Sequence, residues 1–95
     1  MPHAFFLPAA KRDLFQIADF IEQENPGRGL SFADEIEAAC QLWATIPQAG
    51  RERGDIAEGL RSFPHGSYIV FYRAGETGIT IVRILHGMRD LKPLL

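Results

Sequence analysis

The spacing of apolar residues changes along the chain, from a helical period in the first half to a strand period in the second. Four apolar residues recur at intervals of four, three and four positions: Ala10, Leu14, Ile17 and Ile21. This spacing predicts an amphipathic helix that begins at Pro8, a residue suited to the first helical position. A second stripe of the same kind follows: Phe32, Ile36, Cys40 and Trp43. The short connection between the stripes predicts an antiparallel helical hairpin.

The segments that flank the second helix contain turn-forming residues. Asn25-Pro26-Gly27 can end the first helix, or Asn25 can cap the second helix with Pro26 at its first position. The pattern leaves both boundaries open. Pro47 stops the second helix, and residues 48–59, with three glycines and mixed charges, predict a loop.

Four segments rich in β-branched and aromatic residues predict strands at residues 3–7, 60–63, 67–73 and 79–85. The last three follow one another across short turns, which predicts an antiparallel meander. The order β-α-α-β-β-β defines an α+β fold in which the helical hairpin covers one face of an antiparallel sheet. At 95 residues, the chain has the length of one domain, residues 1–95.

Composition narrows the class of protein. The chain is 46% hydrophobic and 23% charged, which is typical of a globular domain. Its net charge of -2 argues against direct nucleic-acid binding, which depends on neutralising phosphates. A single cysteine, Cys40, excludes an internal disulfide and fits a reducing cytoplasm. The longest apolar run, residues 68–72, is far shorter than the roughly 18 residues that span a bilayer, so no membrane segment is expected.

The common catalytic and cofactor motifs lack their residues here. No two of His3, His65 and His86 stand at metal-ligand spacing, so no metal site is expected. Cys40 lies on the apolar stripe of the second helix, which favours a core residue over a nucleophile. Gly27-Arg28-Gly29 lacks the third glycine and the preceding strand of a phosphate-binding loop. We therefore expect no cofactor.

The remaining candidate site lies on the predicted sheet, where arginines alternate with aromatic residues. Its members are Arg61, Phe63, Tyr68, Phe71, Tyr72, Arg73, Arg83, His86 and Arg89. Alternation along the last strand predicts two sets of side chains: Arg83 with Ile79, Ile81 and Leu85, and on the other face Val82, Ile84 and His86. Both faces are largely apolar, which predicts a partner groove on the face that the helices leave open. The alternative is that the arginines pair with acidic residues of the two helices.

Four segments, taken in order, resemble the ParE branch of the RelE/ParE toxin superfamily over nearly the whole chain. They are LPAAKRDL at residues 7–14, IPQAGR at 46–51, GLRSF at 59–63 followed by YIVFYR at 68–73, and IVRILHGMRD at 81–90. The resemblance implies the toxin of a type II toxin–antitoxin pair carried on a plasmid or a chromosome. Such a toxin is expected to bind DNA gyrase and block replication, without being an enzyme, and to be neutralised by a ParD-like antitoxin.

If the chain is such a toxin, residues of the candidate site on the sheet, with the residues that follow it, are expected to contact the gyrase target and the antitoxin. They are Arg61, Tyr68, Phe71, Arg73, Arg83, His86, Arg89 and Asp90. The antitoxin is expected to place an acidic, apolar segment along the hairpin and the sheet, where it would cover Arg83. Phe15, on the polar side of the first helix, is a further candidate contact.

The ribonuclease branch of the same superfamily supplies a second hypothesis, a ribosome-dependent mRNA endonuclease. Its members use lysines on the second strand, an arginine just after the third-strand tyrosine, and a C-terminal tyrosine. At the corresponding places this chain differs: its lysines are Lys11 and Lys92, Ile69 follows Tyr68, and the tail ends in Leu94-Leu95. RNA cleavage needs an acid or base and cations on the phosphate, and His86 with Arg89 are the candidates. A binding module without toxicity is the third hypothesis.

Overall fold

The computed structural model describes residues 2–87 of the chain. The elements are β1 (His3–Phe6), α1 (Pro8–Glu24), α2 (Arg28–Ala44), β2 (Arg51–Glu52), β3 (Leu60–His65), β4 (Tyr68–Gly75) and β5 (Gly78–His86). The five strands form one mixed sheet in the order β1-β5-β4-β3-β2. β1 is parallel to β5, and the other neighbouring strands are antiparallel. The predicted α+β fold, with a helical hairpin on one face of the sheet, is confirmed.

The two edge strands differ from the expectation of a purely antiparallel sheet. β1 is parallel to β5 because the hairpin and the meander return the chain to its starting edge, where β5 lies beside β1 in the same direction. Gly78 allows this approach: its φ is +141°, and a Cβ there would collide with the backbone of His3. β2 lies in the segment predicted as a loop and pairs with β3 over two residues. The other strands agree with their predicted bounds within two residues.

A carboxylate from α1 caps the start of α2. Gly27 precedes α2 in a left-handed conformation, with φ at 88°, and supplies no side-chain cap of its own. The carboxylate of Glu22 accepts hydrogen bonds from the backbone N–H groups of Gly27 at 2.7 Å and Gly29 at 3.0 Å. Its negative charge also suits the positive end of the α2 dipole. Asn25 is therefore not the cap of α2. Within the described residues, no helix is long and apolar enough to cross a membrane.

The apolar stripes of both helices pack on one face of the sheet and form the main core. Its buried members are Ala10, Leu14, Phe32, Ile36, Cys40, Ala44, Phe63, Val70, Tyr72, Ile79, Ile81 and Ile84. Trp43 stacks on Phe63, with the ring centroids 4.6 Å apart and the planes inclined by 3°. The two predicted helical stripes are confirmed, including the core position of Cys40.

A β-bulge in β5 decides which of its side chains face the helices. Val82 is an extra residue between the two positions, Ile81 and Arg83, that pair with consecutive residues of β4. Three isoleucines lie on the helix side: Ile79, Ile81 and Ile84. A second cluster on the outer face, the face without helices, contains Leu60, Phe71, Val82 and Leu85. The predicted grouping of Leu85 with Ile79 and Ile81 is wrong, because strict alternation takes no account of the extra residue.

Asp13 joins α1 to this bulge. Its Oδ2 accepts hydrogen bonds from Nε of Arg83 at 2.7 Å and from the backbone N–H of Ile84 at 2.9 Å, and its Oδ1 accepts one from Nη2 of Arg83 at 2.9 Å. Asp13 is 8% exposed, so these bonds form largely away from water, where charge-assisted bonds are strong. Hydrogen bonding to this carboxylate raises the pKa of Arg83 above its ordinary value. The helix, the bulge and the main core are thus connected at one point.

Cys40 provides a test of the core. Burial raises the pKa of its thiol to about 12, so the reactive thiolate is scarce near neutral pH. We expect a disulfide reagent at about pH 8 to label the folded protein at least ~100-fold more slowly than the urea-unfolded protein. The matched control is the double variant Cys40→Ala, Ala38→Cys, which moves the thiol to an exposed position on the same helix. Equal labelling rates for the native protein and this control would contradict the buried position.

Candidate functional site

Arg61 is held by acceptors in the segment between α2 and β3. Its guanidinium donates hydrogen bonds to the carbonyls of Gln48 at 3.0 Å and Gly50 at 2.9 Å, and to the side-chain Oε1 of Gln48 at 2.8 Å. A weaker ion pair with Glu52 is 3.3 Å long. Five donors in a rigid fork suit arginine to this task, which a lysine could not perform. Arg61 therefore fixes the backbone that precedes β2.

Two further arginines hold the rest of this segment, residues 47–59, which we call the 47–59 loop. Arg73 donates a hydrogen bond to the carbonyl of Glu58 at 2.5 Å. The guanidinium of Arg53 lies 5.4 Å from the centroid of the Phe71 ring, a cation–π distance. Phe71 is completely buried, with Ile56 and Ala57 of the loop packed against its cluster. The loop is thus fixed to the outer face of the sheet.

Tyr72 anchors the other end of the loop from inside the main core. Its hydroxyl donates a hydrogen bond to the carbonyl of Pro47 at 2.9 Å and accepts one from the backbone N–H of Gly50 at 2.9 Å. Burial raises the pKa of Tyr72 above its ordinary value. A Cβ at Gly50 would overlap the Tyr72 ring, so the position requires glycine. The sequence offers no cue to this contact beyond a glycine that follows a proline at a loop start.

The predicted outer-face groove is therefore closed where the 47–59 loop lies. Three apolar residues of this face are at most 3% exposed: Leu60, Phe71 and Leu85. The expectation of an open apolar surface at these residues is wrong, because the 47–59 loop and its arginines lie against the sheet there. The alternative reading of the arginines holds for Arg83, which pairs with Asp13 of α1. Arg61 and Arg73 bind loop carbonyls instead. Their roles in binding a partner stay predictions.

Two predicted site residues, Tyr68 and His86, meet in a groove between α1 and the sheet. The groove has a volume of about 470 Å³ and is lined by Asp13, Gln16, Ile17, Phe20, Tyr68, Ile84, Leu85 and His86. The His86 and Tyr68 rings meet edge to face with centroids 5.4 Å apart, and Tyr68 also contacts Phe32 at 5.4 Å. Phe20, 58% exposed, forms the opposite wall. The alternation of side chains along a strand does not predict this groove, because the groove forms only where α1 packs beside the sheet.

The predicted site residues thus fall in separate places. Phe71 and Arg73 lie on the outer face, whereas Arg61 pairs with Tyr72 on the helix side and holds the start of the 47–59 loop. Arg83 lies at the bulge, and Tyr68 and His86 line the groove. Arg89 and Asp90 lie outside the described residues. Within residues 2–87, no group of three or more His, Cys, Asp or Glu side chains could hold a metal ion. The groove between α1 and the sheet is largely apolar, and its polar groups come from Asp13, Gln16, Tyr68 and His86.

Comparisons with known proteins identify the family. A family model described as "ParE toxin of type II toxin-antitoxin system, parDE" matches residues 4–91. Toxin ParE1 of Caulobacter vibrioides is 33% identical over 78 residues, which cover 81% of this chain and 80% of that protein. Toxin ParE3 of the same organism is 34% identical over 70 residues, covering 72% of this chain and 70% of that protein.

A solved structure of the chromosomal ParDE toxin–antitoxin system from P. aeruginosa has the same fold. The TM-score is 0.76 over 90% of this chain and 96% of that chain, at 20% identity. Together with the family match, the sequence relatives place this chain in a defined class. It belongs to the ParE toxin family of type II toxin–antitoxin systems. The resemblance drawn from the sequence is confirmed.

The Tyr72 anchor can be tested by removing one oxygen atom. Tyr72→Phe leaves the N–H of Gly50 and the carbonyl of Pro47 without their partner, which should lower the free energy of unfolding by about 1–3 kcal/mol. The matched control is Tyr68→Phe, since the Tyr68 hydroxyl has no hydrogen-bond partner among the described residues. Urea unfolding followed by circular dichroism measures both variants. Equal losses of stability would show that the Tyr72 hydroxyl does not anchor the loop.

Proposed function

We propose that this chain is a toxin that binds DNA gyrase in the cytoplasm, blocks replication and is neutralised by a ParD-like antitoxin. The observation that carries the proposal is the family match across residues 4–91, joined by two relatives named as ParE toxins. Members of a type II toxin–antitoxin family act with an antitoxin partner. The contacts of the sheet arginines help to decide whether the toxin acts by binding or by cleaving RNA.

Three arginines of the sheet, Arg61, Arg73 and Arg83, form hydrogen bonds within the chain. Arg61 and Arg73 donate to carbonyls of the 47–59 loop, and Arg83 forms a bidentate pair with Asp13. Cleavage at a 2′-hydroxyl would require such cations on the scissile phosphate beside a general acid or base. His86 lies in the groove beside Tyr68, where β4 begins, whereas Arg61 and Arg73 lie near the end of β4. This distribution favours a scaffold that acts by binding over an RNA-cleaving site.

Exposed apolar side chains on the helical hairpin support an antitoxin-binding surface. Phe15 is 67% exposed, Phe20 58%, Leu30 73% and Leu42 62%. Large apolar residues exposed in this number on two adjacent helices favour a protein partner that covers them. The exposure of Phe15 agrees with its predicted place on the polar side of α1. We propose that the antitoxin lies along this hairpin and that its binding stabilises the folded toxin.

For the gyrase contact we propose Arg61, Arg83 and Arg89. The side chains of Arg61 and Arg83 are 18% and 24% exposed, and their hydrogen bonds hold them in fixed orientations. A partner that meets preorganised guanidinium groups loses less conformational entropy on binding. Arg89 follows β5 in the sequence, three residues after His86.

The test measures DNA supercoiling and DNA cleavage by purified gyrase with a folded preparation of this protein. We expect inhibition of supercoiling and accumulation of cleaved DNA, both reversed by an equimolar amount of the antitoxin. Arg89→Glu should raise the inhibitory concentration at least ~10-fold, because it reverses a charge at the contact. The matched control is Arg51→Glu, the same change at an exposed position in β2. Arg83 is unsuited to this test because a carboxylate there would face Asp13.

Two outcomes would contradict the proposal. A folded preparation without effect on gyrase that cleaves mRNA on ribosomes, and loses this cleavage in His86→Ala, would establish the endonuclease instead. A folded preparation without effect on gyrase, and without growth arrest on induction, would support a binding module that has no toxicity.

A further inference from the structure

β1 forms one edge of the sheet. The backbone N–H groups of His3 and Leu7 donate toward β5. Because successive residues of a strand point their main-chain groups to opposite sides, those of Ala4 and Phe6 point away from the sheet. The N–H of Ala4 donates to the side-chain Oε1 of Gln41 at 3.2 Å, in an exposed contact. The main-chain groups of these two residues can therefore pair with an additional strand.

The α2 helix supplies an acidic wall beside this edge. A groove of about 450 Å³ separates them, lined by Ala4, Phe6, Asp34, Glu37, Ala38 and Gln41. Asp34 and Glu37 are exposed, and neither carboxylate forms an ion pair with another residue in 2–87. Leu30, four residues before Asp34 on the same side of the helix, is 73% exposed. The wall thus carries two negative charges close to the strand edge.

The other face of the same edge is apolar. Phe5 is 55% exposed and Leu7 is 42% exposed, whereas Ala4 and Phe6 pack against the main core. The side chains of a strand added to β1 would alternate between these two surroundings. One set would meet the carboxylates of α2, and the next would cover Phe5. Charge complementarity therefore defines an extended partner in which basic and apolar residues alternate.

We infer that the β1 edge binds an extended segment of the antitoxin in which lysine or arginine alternates with apolar residues. The inference rests on the proposed function, because it takes the antitoxin as the partner. The added strand pairs with the outward main-chain groups of Ala4 and Phe6 and displaces the amide of Gln41. Its basic side chains lie against Asp34 and Glu37.

A second copy of this chain fits the edge less well than such a segment. The edge strand itself, residues 3–6, reads His-Ala-Phe-Phe and contains no lysine or arginine. Pairing of two β1 strands would leave the carboxylates of Asp34 and Glu37 without cations. Since the Gln41 contact is exposed and 3.2 Å long, replacing it by strand hydrogen bonds costs little.

The experiment measures antitoxin affinity and backbone protection in the same complex. Asp34→Asn combined with Glu37→Gln should weaken antitoxin binding at least ~10-fold, and the salt dependence of binding should become shallower. Glu58→Gln combined with Glu76→Gln is the matched control, since it removes two exposed carboxylates elsewhere and should leave the affinity unchanged. Circular dichroism confirms that both double variants are folded.

Amide hydrogen exchange reports directly on the added strand. In the wild-type complex the amides of Ala4 and Phe6 should exchange at least ~10-fold more slowly than in the free toxin. The amide of Leu7, which donates to Ile81 in the free chain, serves as the internal reference and should change less.

The outcomes separate this inference from the proposed function. A wild-type chain that binds no antitoxin contradicts the proposed function and with it the inference. An antitoxin that binds both double variants equally tightly, and leaves Ala4 and Phe6 exchanging as in the free toxin, overturns only the edge placement. A self-associating toxin with protected edge amides in the absence of antitoxin also overturns it, in favour of a second copy.

Discussion

The contact between Asp13 and Arg83 is the interaction on which the arrangement of helices and sheet depends. It lies at the bulge at Val82, where the side chains of β5 stop alternating regularly between the two faces of the sheet. The carboxylate of Asp13 also accepts a hydrogen bond from the backbone N–H of Ile84. Removing one partner of a buried ion pair costs about 3–5 kcal/mol, and less where water can reach the remaining charge. The Arg83 side chain is 24% exposed, so the lower part of that range applies. One short side chain on α1 thus fixes both the helix position and the outward turn of Leu85.

Other polar side chains also form contacts within the chain, and these contacts determine which surfaces stay open to a partner. Arg61, Arg73 and Tyr72 hold the 47–59 loop on the sheet, and the loop in turn buries Phe71. Residues that look like a cationic binding face in the sequence are therefore largely structural. Within residues 2–87, the surfaces open to partners include the apolar hairpin, the groove beside His86 and the β1 edge, together with the part of Arg61 and Arg83 that stays exposed. A toxin that acts through contacts, with an antitoxin that covers them, agrees with this distribution.

Much of the fold follows from the sequence because it depends on local spacing. The stripes that include Leu14 and Ile36 pack as predicted, and Pro8 begins α1. The errors involve contacts between elements, which the apolar spacing within one element does not show. No local pattern announces the bulge at Val82 or the cap that Glu22 gives to α2.

The candidate site was less predictable for the same reason. Residue types indicated arginine and aromatic positions on the sheet, and Tyr68 and His86 do lie together. The arginines, however, donate their hydrogen bonds to carbonyls and a carboxylate of other elements. Neither the amino-acid composition nor the spacing of apolar residues predicts these acceptors. The family resemblance supplied the class of protein, which spacing alone could not supply.

A double-mutant cycle at Asp13 and Arg83 tests the central claim most directly. The variants are Asp13→Ala, Arg83→Met, which keeps an apolar stem, and the two combined, with the free energy of unfolding measured in urea. The account predicts that the double variant is more stable than the sum of the single losses implies, by at least about 1.5 kcal/mol. Losses that add within about 0.5 kcal/mol would show that the two side chains act independently and would contradict it.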